Sequence, residues 1–378
     1  MKTTQQWQDR LGYYLVGNKK FFNKPLALIE HKVTREPITW IFNDSAYGAI
    51  NWTIPIETSL TELYRQRAQQ LRNEYDYLVL YFSGGADSTN ILHAFVDNNI
   101  FLDEIVVQYP SPVEKTFNNQ DKTSANFYSE IQFSAIPILT KLKNKLHPAT
   151  KFRHQDIAKP VIELLQNDNW FESNQLGTNI TIAGIARQAA QVTEPHILEL
   201  CNKGKQVAQI LGIDKPLVTL KGEDYYAYFL DVSAMHSPPV DLSQLEIYEK
   251  FYHAEFFYWT PDMPEIVVKQ AQEIKKMCQI NLYTKSMIKK SQHINALKPV
   301  LHPIIYPTIG KIEFEVDKPE SKLIRAQDRW FWSTADARIK DNYLSVIKYL
   351  RSKTESYDMI DNDIMSGLSG TNSKFYKL

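Results

Sequence analysis

The sequence predicts an α/β protein whose centre is a parallel sheet flanked by helices, with a small β-rich N-terminal cap and a mixed, mainly helical C-terminal region. Three observations carry that prediction. Tyr75 to Phe82 is a largely apolar run of the kind that forms a strand buried on both faces. Ser83-Gly84-Gly85 interrupts it, and Ile91, Leu92, Phe95 and Val96 then recur at helical spacing. Asp103 to Tyr109 is a second strand-like run ending at Pro110, so strand, helix and strand follow in the order of a right-handed βαβ unit.

Residues 1–57 read as the cap: Pro25 to Val33 and Ile38 to Phe42 as strands, Asn43-Asp44-Ser45 as a turn, and Ala46 to Ile54 as a further strand. A helix then opens at Thr58-Ser59-Leu60-Thr61-Glu62, with Ser59 as N-cap and Glu62 three residues on. It feeds the first strand of a segment spanning 58–235. Residues 111–123 read as a polar loop, 124–146 as a helix kinked at Pro137, and Thr150 to Ile157 as a third strand. Pro160 to Gln166, Thr178 to Gln191 (with Arg187 inside) and Pro195 to Leu211 read as helices, the last closed by Gly212. Leu217 to Leu220 reads as another buried strand of the same sheet.

In the C-terminal region, 236–378, the aromatic run Phe251 to Trp259 is expected to pack in the core rather than stack a base. A helix is expected from Ile266 to Cys278, with Pro264 and Glu265 at its start. Pro299 to Pro307 reads as extended, Leu323 to Trp332 as helical or coiled, Asp341 to Ser352 as a helix, and the last residues as a frayed tail.

The chemistry concentrates after the first strand. Gly84 and Gly85 let the main chain approach a ligand closely. The amides of the turn and of the helix start then point at one spot, which suits an oxyanion such as phosphate. Ser83, Ser88 and Thr89 add hydroxyl donors, and Asp87 is placed to hold a Mg²⁺ shared with the phosphates. The stretch is neither G-x-x-x-x-G-K-[ST] nor G-x-G-x-x-G. A second constellation is Lys221-Gly222-Glu223-Asp224, whose two carboxylates and ammonium, at the end of a strand, suit Mg²⁺ and a departing anion.

Ser83-Gly84-Gly85-Ala86-Asp87-Ser88-Thr89 after a hydrophobic strand resembles the pyrophosphate loop, S-G-G-x-D-S-[ST], of the N-type ATP pyrophosphatases. That superfamily includes asparagine, argininosuccinate, GMP, NAD and tRNA lysidine synthetases, and the resemblance covers roughly residues 75 to 235. It implies that the sheet binds an adenine nucleotide, with the β,γ-phosphates of ATP on this loop. It also implies cleavage of the α–β bond, transfer of AMP to a substrate oxygen, and release of pyrophosphate. Val107, Gln108 and Tyr109 would pack on the adenine. Gly222-Glu223-Asp224 resembles a shortened form of the asparagine synthetase loop G-[ED]-G-x-D-E. By that likeness Glu223 and Asp224 would assist Asp87 with the metal, and Lys221 or Arg187 would offset charge at the α-phosphate. The activity implied is an AMP-forming ligase that activates a carboxyl or carbonyl oxygen for attack by an amine or ammonia. Full asparagine synthetases begin with a glutaminase domain, its Cys following Met1. Lys2 stands there and the segment is short, so a separate nitrogen donor is expected. A base-modifying enzyme acting on tRNA, DNA or nucleotides would share the loop, and so would a nucleotide-sensing protein without acceptor chemistry.

Composition narrows the partners. Of the 378 residues, 43 are basic and 43 acidic, a balance that gives no sign of a nucleic-acid partner beyond local patches such as Lys141-Leu142-Lys143-Asn144-Lys145. No apolar run is long enough to cross a membrane, and the N-terminus lacks a signal-peptide core. Cys201 and Cys278 stand far apart and the His residues are scattered, which argues against a disulfide framework, a zinc cluster and thiolation chemistry. A cytoplasmic setting is expected.

Overall fold

The computed structural model describes residues 9–112, 130–172, 182–189, 194–213, 215–231, 250–289, 294–308, 326–354 and 371–378. Near the N-terminus, β1 (Tyr13–Val16), β2 (Lys19–Phe21) and β3 (Ile38–Ile41) form an antiparallel sheet in the order β2-β1-β3. Between β2 and β3 lies a helix, α1 (Lys24–Thr34), where a strand was expected from Pro25 to Val33. Asn23 explains the difference: its side chain accepts from the Leu26 amide as an N-cap, and Pro25 sits in the first turn, where its missing N–H costs nothing. Ala46 to Ile54 is likewise no strand, because α2 (Asp44–Ala49) occupies its start. In α3 (Leu60–Glu74) the cap is as expected: the Ser59 hydroxyl accepts from the Glu62 amide. Its buried face carries Leu63, Tyr64, Arg67, Ala68 and Leu71.

The chain then builds the central sheet. β4 (Tyr77–Tyr81) leads through the glycine turn into α4 (Ala86–Val96), and β5 (Glu104–Tyr109) pairs with β4 in parallel. A π-helical turn, Ile131–Ala135, runs into α5 (Ile136–Leu142), so the irregularity falls just before Pro137. β6 (Lys151–Asp156), α6 (Ala158–Leu165), α7 (Ile182–Ala189) and α8 (Pro195–Asn202) follow. The helix expected to reach Leu211 ends at Asn202. Gly204, at φ +76°, turns the chain, and β7 (Val207–Leu211) runs wholly buried beside β4.

Leu217 to Leu220 is also not what the sequence suggested. β8 (Leu217–Lys221) and β9 (Asp224–Tyr228) form an antiparallel hairpin in a separate three-stranded sheet. The chain returns to the main sheet with β10 (Tyr252–Phe256), parallel to β7 and buried throughout, which makes the aromatic run core. The five parallel strands therefore stand in the order β10-β7-β4-β5-β6. Numbered along the chain and read from β6, this is 3-2-1-4-5, and the order reverses between β4 and β7.

The C-terminal region holds α9 (Glu265–Ile280), α10 (Leu282–Lys289), α11 (Ile294–Ile305), α12 (Ala326–Thr334) and α13 (Ala337–Lys353). Pro299 to Pro307 is thus mostly helix, with Pro299 and Pro303 inside α11. The tail is not frayed: β11 (Tyr376–Lys377) pairs with β9, and Tyr376 and Leu378 are buried. The largest core cluster runs from Leu11 to Leu378 and joins all three sheets. At one corner Phe42, Phe229 and Trp259 meet with ring centroids 5.0–5.5 Å apart, and Tyr376 stacks on Trp52 at 4.8 Å. A second cluster packs α6, α7, α12 and α13 around Trp170, Phe331 and Tyr343. Two buried ion pairs cross between elements, Lys24 with Asp231 and Arg67 with Glu255, each at 2.6 Å. Among the described residues no helix is long and apolar enough to cross a membrane.

Candidate functional site

In open α/β sheets ligands collect beyond the carboxyl ends of the strands, at the point where strand order reverses. Here that point lies between β4 and β7, and the glycine turn leaves the end of β4 directly into it. Phe82 keeps the strand's pairing for one more residue, its amide donating to the Val106 carbonyl. Ser83 and Ser88 then close the turn from inside. The Ser88 hydroxyl accepts from the Ser83 amide and donates to the Gly85 carbonyl, while the Ser83 hydroxyl accepts from the Gly85 amide. Gly84 has φ +72°, and a Cβ there would lie 2.6 Å from the Ala135 nitrogen. The π-helical turn is what presses on it, and Ser134 fixes the contact by donating to the Gly84 carbonyl at 2.7 Å. Among the described residues the amides of Ala86, Asp87 and Ser88 donate to no protein acceptor, which leaves them at the mouth of α4. Thr89 is fully buried, and its hydroxyl has no hydrogen-bond partner among the described residues.

Asp87 is the most elaborately held of these residues. Its carboxylate is about one-third exposed, and its Oδ1 takes both contacts made to it: the Tyr306 hydroxyl donates there, and the Lys215 ammonium lies 3.7 Å away. Oδ2 accepts no hydrogen bond among the described residues. The Asp87 carbonyl accepts from Tyr258 at 2.9 Å. Asn90, one turn on, donates to the Tyr258 hydroxyl and accepts from Thr308. Burial first, and Asp87 beside them, push the Tyr258 and Tyr306 hydroxyls well above the ordinary phenol range, so both remain donors. The neighbouring strand ends close the crevice. Gly212, just past β7, lies against α4, where a Cβ would come within 3.4 Å of Asp87 Cβ. Lys215 follows three residues later, almost wholly buried, and Tyr258 comes from just past β10.

Of the residues singled out in the sequence, Ser83 to Thr89 are gathered here, and Val107, Gln108 and Tyr109 lie at the same carboxyl edge, on β5. Gln108 donates to Gln155 on one face of the sheet, and on the other face the Tyr109 ring stacks on His154 at 3.6 Å as an aromatic ledge. Lys221, Glu223 and Asp224 are not brought to the site. They belong to the β8–β9 turn, outside the parallel sheet, where residues 221–224 are all exposed. Lys221 lies over the Phe375 ring and Asp224 pairs with Lys377, so the hairpin holds the C-terminal strand. The signal was present: Gly-X between two strands is a two-residue hairpin turn, and Gly222 has the positive φ, +63°, that such a turn needs at its first position. Arg187 lies on α7, a helix of the second core cluster, and its side chain is outside the described residues.

Lys215, Tyr258, Tyr306 and Asn90 went unseen in the sequence. Lys215 follows a strand that was read as helix, and Tyr306 follows a helix read as extended chain. Among the described residues there is no cluster of three or more His, Cys, Asp or Glu side chains that could cage a metal. Both cysteines are buried, and burial pushes each thiol up to about 11, which suits packing rather than nucleophilic work. No known protein-family model matches the chain, and no curated protein matches it.

Proposed function

We propose that the protein is an ATP-dependent, AMP-forming ligase that cuts ATP between the α- and β-phosphates and adenylates a carboxyl or carbonyl oxygen for attack by an amine or ammonia. The observation that carries the reading is the position of Ser83-Gly84-Gly85-Ala86-Asp87-Ser88-Thr89 at the reversal point of a 3-2-1-4-5 parallel sheet. Free amides at the start of α4 suit the pyrophosphate half of ATP. Lys215, which lies beside Asp87 where Lys221 does not, is proposed as a cation that offsets phosphate charge. Val107, Gln108 and Tyr109 are proposed for the adenine side, next to the Tyr109–His154 ledge.

The residues fit a Mg²⁺ that arrives with the nucleotide. Such an ion takes one or two carboxylates and fills its remaining positions with phosphate oxygens and water, and Asp87, about one-third exposed, offers Oδ2 as a carboxylate oxygen with no hydrogen bond among the described residues. Mg²⁺ bound there would stabilise the charge of the departing pyrophosphate.

The acidic hairpin supports neither the metal site nor the particular likeness to asparagine synthetase. The acceptor is therefore sought among amino acids, nucleosides and nucleic acids by a pyrophosphate-release screen. Turnover should yield AMP and pyrophosphate, and ADP with phosphate as the only products would refute the assignment. Asp87→Ala should lose turnover on the order of 10²-fold or more while nucleotide binding in metal-free buffer persists.

A further inference from the structure

Asp87 receives help from an unexpected quarter. Tyr306 lies just past α11, in the C-terminal region, yet its hydroxyl donates to the carboxylate of the first turn of α4. Lys215 approaches the same oxygen, Oδ1, from the far side of the crevice. The Tyr306 hydrogen bond and the Lys215 contact both fall on Oδ1, which leaves Oδ2 as the oxygen with no hydrogen bond among the described residues. We infer that Tyr306 is a positioning residue for the nucleotide-borne metal: it holds Asp87 Oδ1 so that Oδ2 is presented as a single, monodentate ligand.

The surrounding packing makes Tyr306 able to do this. Its ring lies 5.4 Å from that of Tyr258 and 5.4 Å from that of His302, so its hydroxyl cannot swing freely. Tyr64 braces the same corner by donating to the Ile305 carbonyl at 2.6 Å, and Gln270 donates to Tyr64 in turn. A phenol O–H can direct a carboxylate without neutralising it. Lys215 alone would pull Asp87 toward an ion pair; the tyrosine gives the carboxylate a direction. Outer partners of this kind commonly change metal affinity about 10- to 100-fold when removed.

The inference rests on the nucleotide reading above, and the test separates the two. Binding of α,β-methylene-ATP is measured by calorimetry with Mn²⁺ and with EDTA, and the ratio of the two affinities reports the metal's contribution without turnover. Wild type should bind the analogue more tightly with Mn²⁺. Tyr306→Phe keeps the ring and its packing, and should lose that gain by about 10- to 100-fold with the EDTA affinity unchanged. Tyr47→Phe removes a buried hydroxyl from the aromatic corner around Phe229 instead, and should retain the wild-type ratio. Wild-type protein that fails to bind the analogue overturns both the nucleotide reading and this inference. Wild type with a clear Mn²⁺ gain that Tyr306→Phe shares, or an equal loss in Tyr47→Phe, overturns the role of Tyr306 alone.

Discussion

Gly84→Ala is the substitution whose cost can be worked out most fully. The residue has φ +72°, and an added Cβ would lie 2.6 Å from the Ala135 nitrogen and 2.8 Å from its Cα, both main-chain atoms that cannot rotate away. A left-handed backbone costs a side-chain-bearing residue about 1–2 kcal/mol, and forcing extra volume into a packed contact adds about 1–3 kcal/mol. The expected loss is therefore about 2–5 kcal/mol, or on the order of 4–20 °C in melting temperature at about 2–4 °C per kcal/mol. Gly222→Ala is the natural comparison. Its φ is +63°, but a Cβ there meets nothing within 4 Å, so only the backbone cost of about 1–2 kcal/mol applies. The two variants are compared by thermal and urea denaturation, and Gly84→Ala is also titrated with the ATP analogue, for which it should lose affinity as the π-helical turn is displaced. If the two variants melt together, the close approach of Ala135 to the loop is not what requires glycine at 84.

Two further outcomes follow from charge. Replacing Glu223 by Gln and Asp224 by Asn should leave turnover within about twofold of wild type and change stability by less than about 1 kcal/mol, because an exposed ion pair contributes little; a large loss of Mg²⁺-dependent turnover would return the hairpin to the site. Glu255 should govern acid stability. Burial works to raise its pKa, but Arg10 and Arg67 outweigh burial and hold it below the usual carboxylate range. Its stabilising contribution is thus fully present above its ordinary, unfolded-state pKa and is lost as pH falls through the depressed folded value. Denaturation series should show Glu255→Gln destabilised by about 3–5 kcal/mol near neutral pH, with a flatter decline on acidification than wild type; parallel acid declines would assign the acid sensitivity elsewhere.

Much of the site was legible because its signals are local. A strand of apolar residues, two glycines and a helix with Asp87 in its first turn specify one another over a few positions, and β4, α4, β5 and β6 fall where the pattern puts them. What was missed depended on distant partners. Val207 to Leu211 is too short for periodicity to separate strand from buried helix, and only its place between β4 and β10 decides the matter. Leu217 to Leu220 looks like a central strand by its apolar residues, but the Gly222-Glu223 turn folds it into a hairpin before it can reach the parallel sheet. Pro25 to Val33 carries residues common in strands, and the Asn23 cap overrides them. No local pattern at Lys215 or Tyr306 points to Asp87, because chain topology alone brings them there.

The order of strands also sets a timetable for folding. β4 borders β5, which follows it closely, and β7, whose Val207 faces Tyr77 across a long stretch of intervening chain. Closing that long loop is entropically costly, so β4, β5 and β6 should associate before β7 docks. Until it does, one edge of β4 stands open with unpaired amides, and the crevice that collects Lys215 and Tyr258 around Asp87 does not yet exist. A ligand that needs both walls of the crevice then finds nothing to hold in the folding transition state. It should slow unfolding and leave the refolding rate unchanged. Stopped-flow chevrons with and without the ATP analogue measure this directly, and a ligand-accelerated refolding arm would mean that β7 docks early.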